Sequence, residues 1–528
     1  MIRIRQIKVP VLENHSDFLM KQTAHILSIS KDDIISFHIV HQSIDARDRS
    51  NVFYVYEVEI ECLKEKQVLN RNRKNSNVFF STKQVYSYQV SGESEIPGRI
   101  IIVGSGPSGL FCAYMLAEAG FKPLILEQGE KMEERIQSVE HFFQTGQLNP
   151  LSNVQFGEGG AGTFSDGKLN TLVKDKVFRG KKVFEIFVEN GAPEEILYQA
   201  KPHIGTDLLR DVIIRMRNKI LSMGGEFWYS SQLTDIIVTQ GKITSIEINH
   251  EVILPCGVLV LAIGHSARET FLMLSRHSLL MKPKNFAVGV RMEHLQEMIN
   301  RSQYGDFSDV LPPASYKLTY QSKSGRGVYS FCMCPGGFVV NASSEEGRLA
   351  INGMSYHNRD GKNANSALVV TVGPKDFGNT LFGGMEFQRK LEKKAYSLGS
   401  GKIPVQLYQD FVENRVSTSF GSVRPNTKGD YTFSNLNELF PREIRDSLCE
   451  AIDYFGRKIQ GFDRGDSLLL GVESRTSSPV MIVRDEFGVS SIDGIYPCGE
   501  GAGYAGGITT AAMDGLYIFE MIGKRYHS

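Results

Sequence analysis

The stretch RIIIVGSGPSG, residues 99–109, decides the reading of this chain. Four consecutive apolar residues, Ile100 to Val103, predict a strand buried on both faces. They run straight into Gly104, Gly106 and Gly109, a G-x-G-x-x-G turn, and Pro107 suits the first turn of a helix, where no amide hydrogen is needed. Leu110, Ala113, Tyr114 and Ala117 then follow the i, i+3, i+4, i+7 face of that helix. Gly120 closes it, Leu124 to Leu126 make the next strand, and Glu127 ends that strand. In this setting the three glycines allow a tight turn, close approach of backbone to a pyrophosphate, and close packing of helix on strand. The helix N-terminus favours the negative charge, and an acid ending the second strand suits a ribose 2′-hydroxyl. The pattern therefore predicts a dinucleotide-binding Rossmann unit, with Ser105, Pro107, Ser108 and Gln128 in its two turns.

Two other stretches repeat the glycine spacing without its context. Gly157, Gly159 and Gly162 follow the polar stretch NPLSNVQ rather than a buried strand. Gly501, Gly503 and Gly506 follow a strand, but the chain ends too soon for a βαβ unit of about 30 residues. One nucleotide fold is expected, with no separate NAD(P) domain.

Outward from this centre, the 528 residues predict three to four domains at about 150 residues each. The 59 basic and 59 acidic residues cancel, which speaks against a mainly electrostatic nucleic-acid binder. A hydrophobic share of 41% and a charged share of 22% are those of a globular protein. The 51 glycines exceed the ordinary share of about 7%, as expected where backbone lies close to a ligand. No secretory signal, membrane span or zinc-like cysteine spacing is visible, so no metal is expected and a cytoplasmic setting is.

The expected organisation is a small α+β N-terminal domain (1–95), a FAD-binding domain in two parts (96–290 and 466–528), and an inserted α+β substrate or cap domain (291–465). In the first, a strand from Ile2 to Val9 precedes a helix from Asp17 to Ile29 with Ser16 as its cap, and extended segments run from Ile34 to Ile44 and Val52 to Leu63. The polar run Lys64 to Lys83 reads as a mobile hairpin tip. Helices are expected near Glu386–Leu398 and Arg442–Ile459 in the middle domain.

The longer spacing through Ala113, Gly120 and Glu127 resembles that of two-domain FAD enzymes, and here the chain resembles the FAD-dependent proteins called NAD(FAD)-utilizing dehydrogenases, within the glutathione-reductase-like class. FGEGGAGTFSDGKLNT (156–171), LVLAIGHSAR (259–268), FCMCPGG (331–337), ESRTSSPV (473–480) and CGEGAGYAGGITTAAMDG (498–515) carry the resemblance. Pro123 stands where valine is usual, and Glu500 where many flavoproteins have aspartate. The resemblance implies an α/β fold with FAD as cofactor. It places Glu127 at the adenosine ribose, Gly160, Ala161, Gly162, Thr163 and Lys168 along pyrophosphate and isoalloxazine, and Ala262 and Gly264 at a strand end near the cofactor. Gly499 and Glu500 would approach the ribityl phosphate. Gly507, Ile508 and Thr509 would open the last helix, whose unpaired amides could face the flavin.

No catalytic residue can be assigned. Cys332 and Cys334 share a strand face by alternation and read either as a redox dithiol or, more commonly, as inert buried thiols. Arg291 and Arg475 are candidate clamps for an anionic substrate, with ion-paired arginines as the blander reading. His357 is a lone candidate acid or base. The favoured function is an FAD-dependent oxidoreductase acting on a small molecule, with NAD(P)H or another donor supplying electrons. A non-catalytic flavin-binding sensor or assembly protein is the alternative, and a flavin-dependent RNA-modifying protein ranks last because the N-terminal residues are barely basic.

Overall fold

The computed structural model describes residues 1–82, 84–171 and 173–528. At its centre lies a five-stranded, wholly parallel sheet in the order Ile495–Pro497, Val258–Leu261, Ile100–Val103, Leu124–Leu126, Glu226–Trp228. These strands are short and almost wholly apolar because helices cover one face and a second layer covers the other. The helix Pro107–Glu118 packs on the sheet together with the C-terminal helix Ile508–Arg525 and the helix Thr206–Ser222, forming one core around Leu110, Ala113, Ile213, Leu516 and Ile522. A three-stranded antiparallel sheet, residues 233–255, lies in the core of the opposite face. The last strand and last helix come from the chain's end, so the domain is discontinuous.

The middle domain is built on a seven-stranded mixed sheet. Its strands Phe286–Leu295 and Leu468–Glu473 are neighbours in that sheet, and nearly every residue of both is buried. The expected boundaries after 290 and 465 are therefore displaced: the first cuts a single strand in two, and the second assigns a central strand of this sheet to the wrong domain. Nothing in a continuous apolar run marks where it changes sheets. The expected helices appear as Gly383–Gly399 and Arg442–Gly456.

The N-terminal domain pairs its strands in the order Ile34–Asp45, Phe53–Cys62, Ile2–Pro10, Val78–Phe80, with the helix Ser16–Leu27 packed on them through Leu19 and Leu27. The helix is capped by the His15 imidazole, which accepts from the Phe18 amide at 3.1 Å, rather than by Ser16. The run after Leu63 forms a helix, Glu65–Arg71, and an edge strand rather than a hairpin tip; Val68 anchors the helix in the core, and Lys83 lies outside the described residues. Residues 86–94 belong with the central domain. Tyr88 donates to the Glu520 carbonyl at 2.6 Å, and the Ser91 amide to that of Gly523 at 2.9 Å.

Candidate functional site

Where the central sheet meets the middle domain, a cavity of about 590 Å³ opens, within the size range of cofactor pockets. Three glycine-rich segments far apart in sequence reach it.

The first is the turn after Val103. Gly104 has φ +101°, and a Cβ there would overlap the Ala262 carbonyl; one on Gly109 would overlap the carbonyl of Gly104. Gly104, Gly106, Pro107 and Ser108 line the cavity, as do Glu127 and Gln128 from the second strand end and Ala262 and Gly264 from the third. The Glu127 carboxylate is 5% exposed and works first as a clasp. One oxygen accepts from the Ser105 amide (3.0 Å) and hydroxyl (2.7 Å), the other from the amides of Gly129 and Gly157, both at 3.0 Å. Ser105 and Gly109 do not reach the cavity: the first is held by Glu127, and the second serves helix packing.

The second segment, 156–168, is organised by a residue that the sequence reading missed. Arg135 is fully buried, and its guanidinium donates to the carbonyls of Asn153 (3.0 Å), Val154 (3.0 Å), Gly157 (3.2 Å), Glu158 (2.6 Å) and Gly160 (2.9 Å). It also donates to the Thr163 hydroxyl at 2.9 Å and lies over the Phe164 ring. The loop has almost no regular structure, so the guanidinium's fixed fork replaces the missing backbone partners. A signal was present: Arg135 sits on the apolar stripe Met132, Val139, Phe142 of its helix, where a charge needs a reason. Gly160, Ala161, Gly162 and Lys168 line the cavity. Thr163 faces Arg135 instead.

Lys168 lies 3.5 Å from Asp166, and its Nζ is buried without a hydrogen-bond partner. Burial works against the Asp166 charge, but Lys168 and Arg359 overcome it and hold that carboxyl at about 2.

The third segment comes from the chain's end. Glu500, Gly506, Gly507 and Ile508 line the cavity where the helix Ile508–Arg525 begins. Burial pushes the Glu500 carboxyl up to about 7, with Lys284 pulling the other way. Gly499 turns from the cavity, its amide donating to Asp514 at 2.7 Å. Thr509 does the same, donating to the Leu169 carbonyl at 2.6 Å.

The facing wall comes from the middle domain, with Phe331, Cys332, Met333, Asn352 and Arg359. Neither expected substrate clamp has a free guanidinium. Arg291 is wholly buried on Glu473 (3.0 and 3.3 Å) and the Cys332 carbonyl (3.0 Å). Arg475 reaches the cavity edge but grips Glu392 at 2.9 and 3.0 Å. His357 bonds the Ile204 carbonyl and stacks on His203 outside the cavity lining. Arg291 ties strands of the middle domain to one another, while Arg475, through the Ser266 hydroxyl, and His357, through the Ile204 carbonyl, join that domain to the nucleotide fold.

The cysteine pair departs from simple alternation. The strand is irregular between Phe331 and Cys334, and Cys332 has φ +42°, so Cys332 reaches the cavity while Cys334 stays buried behind it. The Cys334 thiol donates to the Cys332 carbonyl at 3.3 Å. The mutual influence of the two thiols, with Lys168 and Arg291 near, draws Cys332 below the ordinary thiol range and pushes Cys334 up.

These residues fit FAD. The lining holds a carboxylate that suits a ribose, glycine backbone that lets a pyrophosphate approach, and a buried ammonium without a hydrogen bond and a helix N-terminus, both of which favour negative charge on an electron-accepting ring. Among the described residues no cluster suited to a metal ion occurs, and no helix is long and apolar enough to cross a membrane.

Comparison with known proteins agrees. Residues 285–476 match the model of an FAD-dependent protein, C-terminal domain-like, and residues 102–149 that of an NAD(P)-binding Rossmann-like domain; residues 1–61 match a domain of unknown function. Among solved structures, the chain is similar to glycine oxidase from Bacillus cereus, with 11% identity, 81% of this chain and 96% of that one covered, and a TM-score of 0.35. It is also similar to L-proline dehydrogenase from P. horikoshii, with 13% identity, 82% and 96% covered, and a TM-score of 0.35. Scores this low carry no substrate across. An uncharacterized protein of Clostridium beijerinckii is 48% identical over 533 residues, covering 99% of both chains. The chain belongs to the family of that Clostridium protein, and its domain matches are those of an FAD-dependent protein.

Proposed function

We propose that the protein holds FAD extended along the cavity and exchanges electrons with a small molecule entering between the nucleotide fold and the middle domain, as a member of the NAD(FAD)-utilizing dehydrogenase group. The observation that carries this reading is the convergence of three sequence-distant glycine segments, around Gly106, Gly160 and Gly507, on one cavity. In this assignment Glu127 accepts from the adenosine ribose, and Gly104 to Ser108 and Gly160 to Gly162 flank the pyrophosphate. Bound FAD supplies the two-electron chemistry. Lys168 and the first amides of the helix Ile508–Arg525 face its ring and favour negative charge there. Glu500, poised near neutrality, holds or releases a proton beside it. The middle domain excludes water and shapes the substrate entrance. The compartment we assign is the cytoplasm, since all seven cysteines are free, as a reducing setting requires.

Purified protein should be yellow and release FAD on denaturation, identified by mass spectrometry. Release of FMN, or failure of the apoprotein to take up FAD, overturns the reading. Among the described residues the parallel sheet forms one nucleotide unit and no second, so NADH or NADPH at millimolar concentration should reduce the flavin only slowly under anaerobic conditions. Fast, saturable bleaching at micromolar concentration would make a pyridine nucleotide the donor.

A further inference from the structure

Cys332 and Cys334 lack the spacing of a zinc site, and the strand that carries them is not regular. In an extended strand, residues two apart sit about 6.8 Å from each other, at the limit of what a disulfide spans. Here the strand is kinked, with Cys332 at φ +42°, a conformation rare for a residue with a side chain. Bulges of this kind re-aim side chains next to active sites. The kink folds the Cys334 thiol back onto the Cys332 carbonyl, at 3.3 Å, and turns Cys332 to the cavity. Two buried cations flank the pair: Lys168, which shares the cavity wall with Cys332, and Arg291, whose Nη1 lies 4.0 Å from the Cys334 sulfur. Asp166 and Glu473 partner those cations without touching the sulfurs. An inert structural cysteine needs neither cations nor an opening, whereas a thiolate nucleophile needs both.

We propose that Cys332 and Cys334 form a redox-active dithiol that exchanges two electrons with the bound flavin. In oxidation, each sulfur gives up its proton, a single Sγ–Sγ bond forms, and the pair loses two electrons. The flavin is the oxidant and takes up those two electrons with two protons; in the reverse direction the reduced flavin splits the disulfide and restores both thiols. Cys332 is the sulfur on the cavity side, and Cys334 resolves it from behind. Lys168 and Arg291 are positioning residues that hold negative charge on the sulfur. The proposal rests on reading the cavity as the flavin site.

The test uses the FAD-loaded protein. It is equilibrated without oxygen in mixtures of reduced and oxidised dithiothreitol, quenched in acid, unfolded and alkylated, and the peptide holding both cysteines is weighed. The expected result is a joint change from two alkylated thiols to one disulfide, while the other five cysteines stay alkylated at every ratio. Alkylation of both cysteines throughout overturns the proposal, and this readout requires no variant. Coupling to the flavin is read by dithionite titration of the oxidised protein. The wild type should take up two electrons more per flavin than Cys332→Ser or Cys334→Ser, each of which keeps its FAD because neither sulfur belongs to the glycine cradle. Equal uptake overturns the coupling and with it the proposal. A protein that takes up no FAD overturns the cavity assignment instead, a separate outcome visible before either titration.

Discussion

Replacing Glu127 by glutamine separates the two tasks that one carboxylate performs. Its four bonds come from two sides: Ser105 amide and hydroxyl on one oxygen, Gly129 and Gly157 amides on the other. A glutamine must present an NH₂ to one side. Facing Gly129 and Gly157 it would strand two amides; facing Ser105 it strands one, because the serine hydroxyl can turn and accept. The second choice is favoured and costs about 1–3 kcal/mol for a buried unpaired amide. This part exists with or without cofactor, so the apoprotein should melt lower, at about 2–4 °C per kcal/mol for a domain of this size. The ribose contact adds a part seen only in binding. A hydrogen bond to a charged group is worth about 1.5–3 kcal/mol and a neutral one about 0.5–1.5, so the loss is roughly 1–1.5 kcal/mol. At about 1.4 kcal/mol per tenfold, Glu127→Gln should raise the FAD dissociation constant about five- to twelvefold. Flavin fluorescence during apoprotein titration measures the second effect, and thermal melting the first. A lowered melt with an unchanged dissociation constant would leave Glu127 a clasp alone and refute the ribose assignment; no change in either would refute both roles.

Gly507→Ala should leave apoprotein stability within about 0.5 kcal/mol, because its backbone is extended and a Cβ there meets nothing within 4 Å. The new methyl would project into the space assigned to the flavin, so FAD affinity should fall at least about tenfold; equal affinity in the same titration would move the flavin elsewhere. Arg135→Met strands the carbonyls of the 153–160 loop and should cost about 3–5 kcal/mol, the scale for emptying one side of a buried charged network. It would be seen as FAD release at lower temperature and as protease cleavage in that loop, and an uncut loop would show that other contacts order it. Glu293 is buried, and burial lifts its carboxyl to about 7. Between its unfolded value near 4.5 and 7 the folded form holds the proton more tightly, so this group's contribution to stability falls as pH rises through that window. Glu293→Gln should flatten that slope and stabilise the protein above pH 7 by on the order of 1–3 kcal/mol, measured as melting temperature against pH. A slope unchanged by the substitution would assign the dependence to other groups, Glu500 among them.

The first glycine turn was legible in the sequence because every part of it is local. A buried strand, three glycines, a proline-opened helix and a terminal acid lie within thirty residues, and their backbone demands are met by neighbours in the chain. The second and third glycine segments were legible as cofactor contacts only through resemblance, since neither has the strand and helix that give the first its meaning. Fifteen of the twenty expected site residues line the cavity, and Ser105, Gly109, Thr163, Gly499 and Thr509 support it from behind. Spacing says which residues share a turn, not which side of the turn a side chain takes.

What only the tertiary structure decided has one physical origin: buried charges find partners across the fold. Arg291 meets Glu473 and Arg475 meets Glu392 across about 180 and 80 residues of chain, so arginines that read as substrate clamps are spent on carboxylates that no local pattern could pair with them. Arg135 is the converse, a residue unremarked in its helix that organises a loop about twenty residues away. The cysteines show the same limit most plainly. Alternation put both on one face of a strand, and no cation could be named beside them. The kink at Cys332, Lys168 from the second glycine segment and Arg291 from the strand two places over in the sheet met only when three separate segments packed together. The sequence alone pointed to a dinucleotide and to the glycine turn after Val103 as its cradle. The charges around Cys332 and Glu500 were settled by long-range packing, because Coulomb interactions depend on distance in space and the chain records only distance along itself.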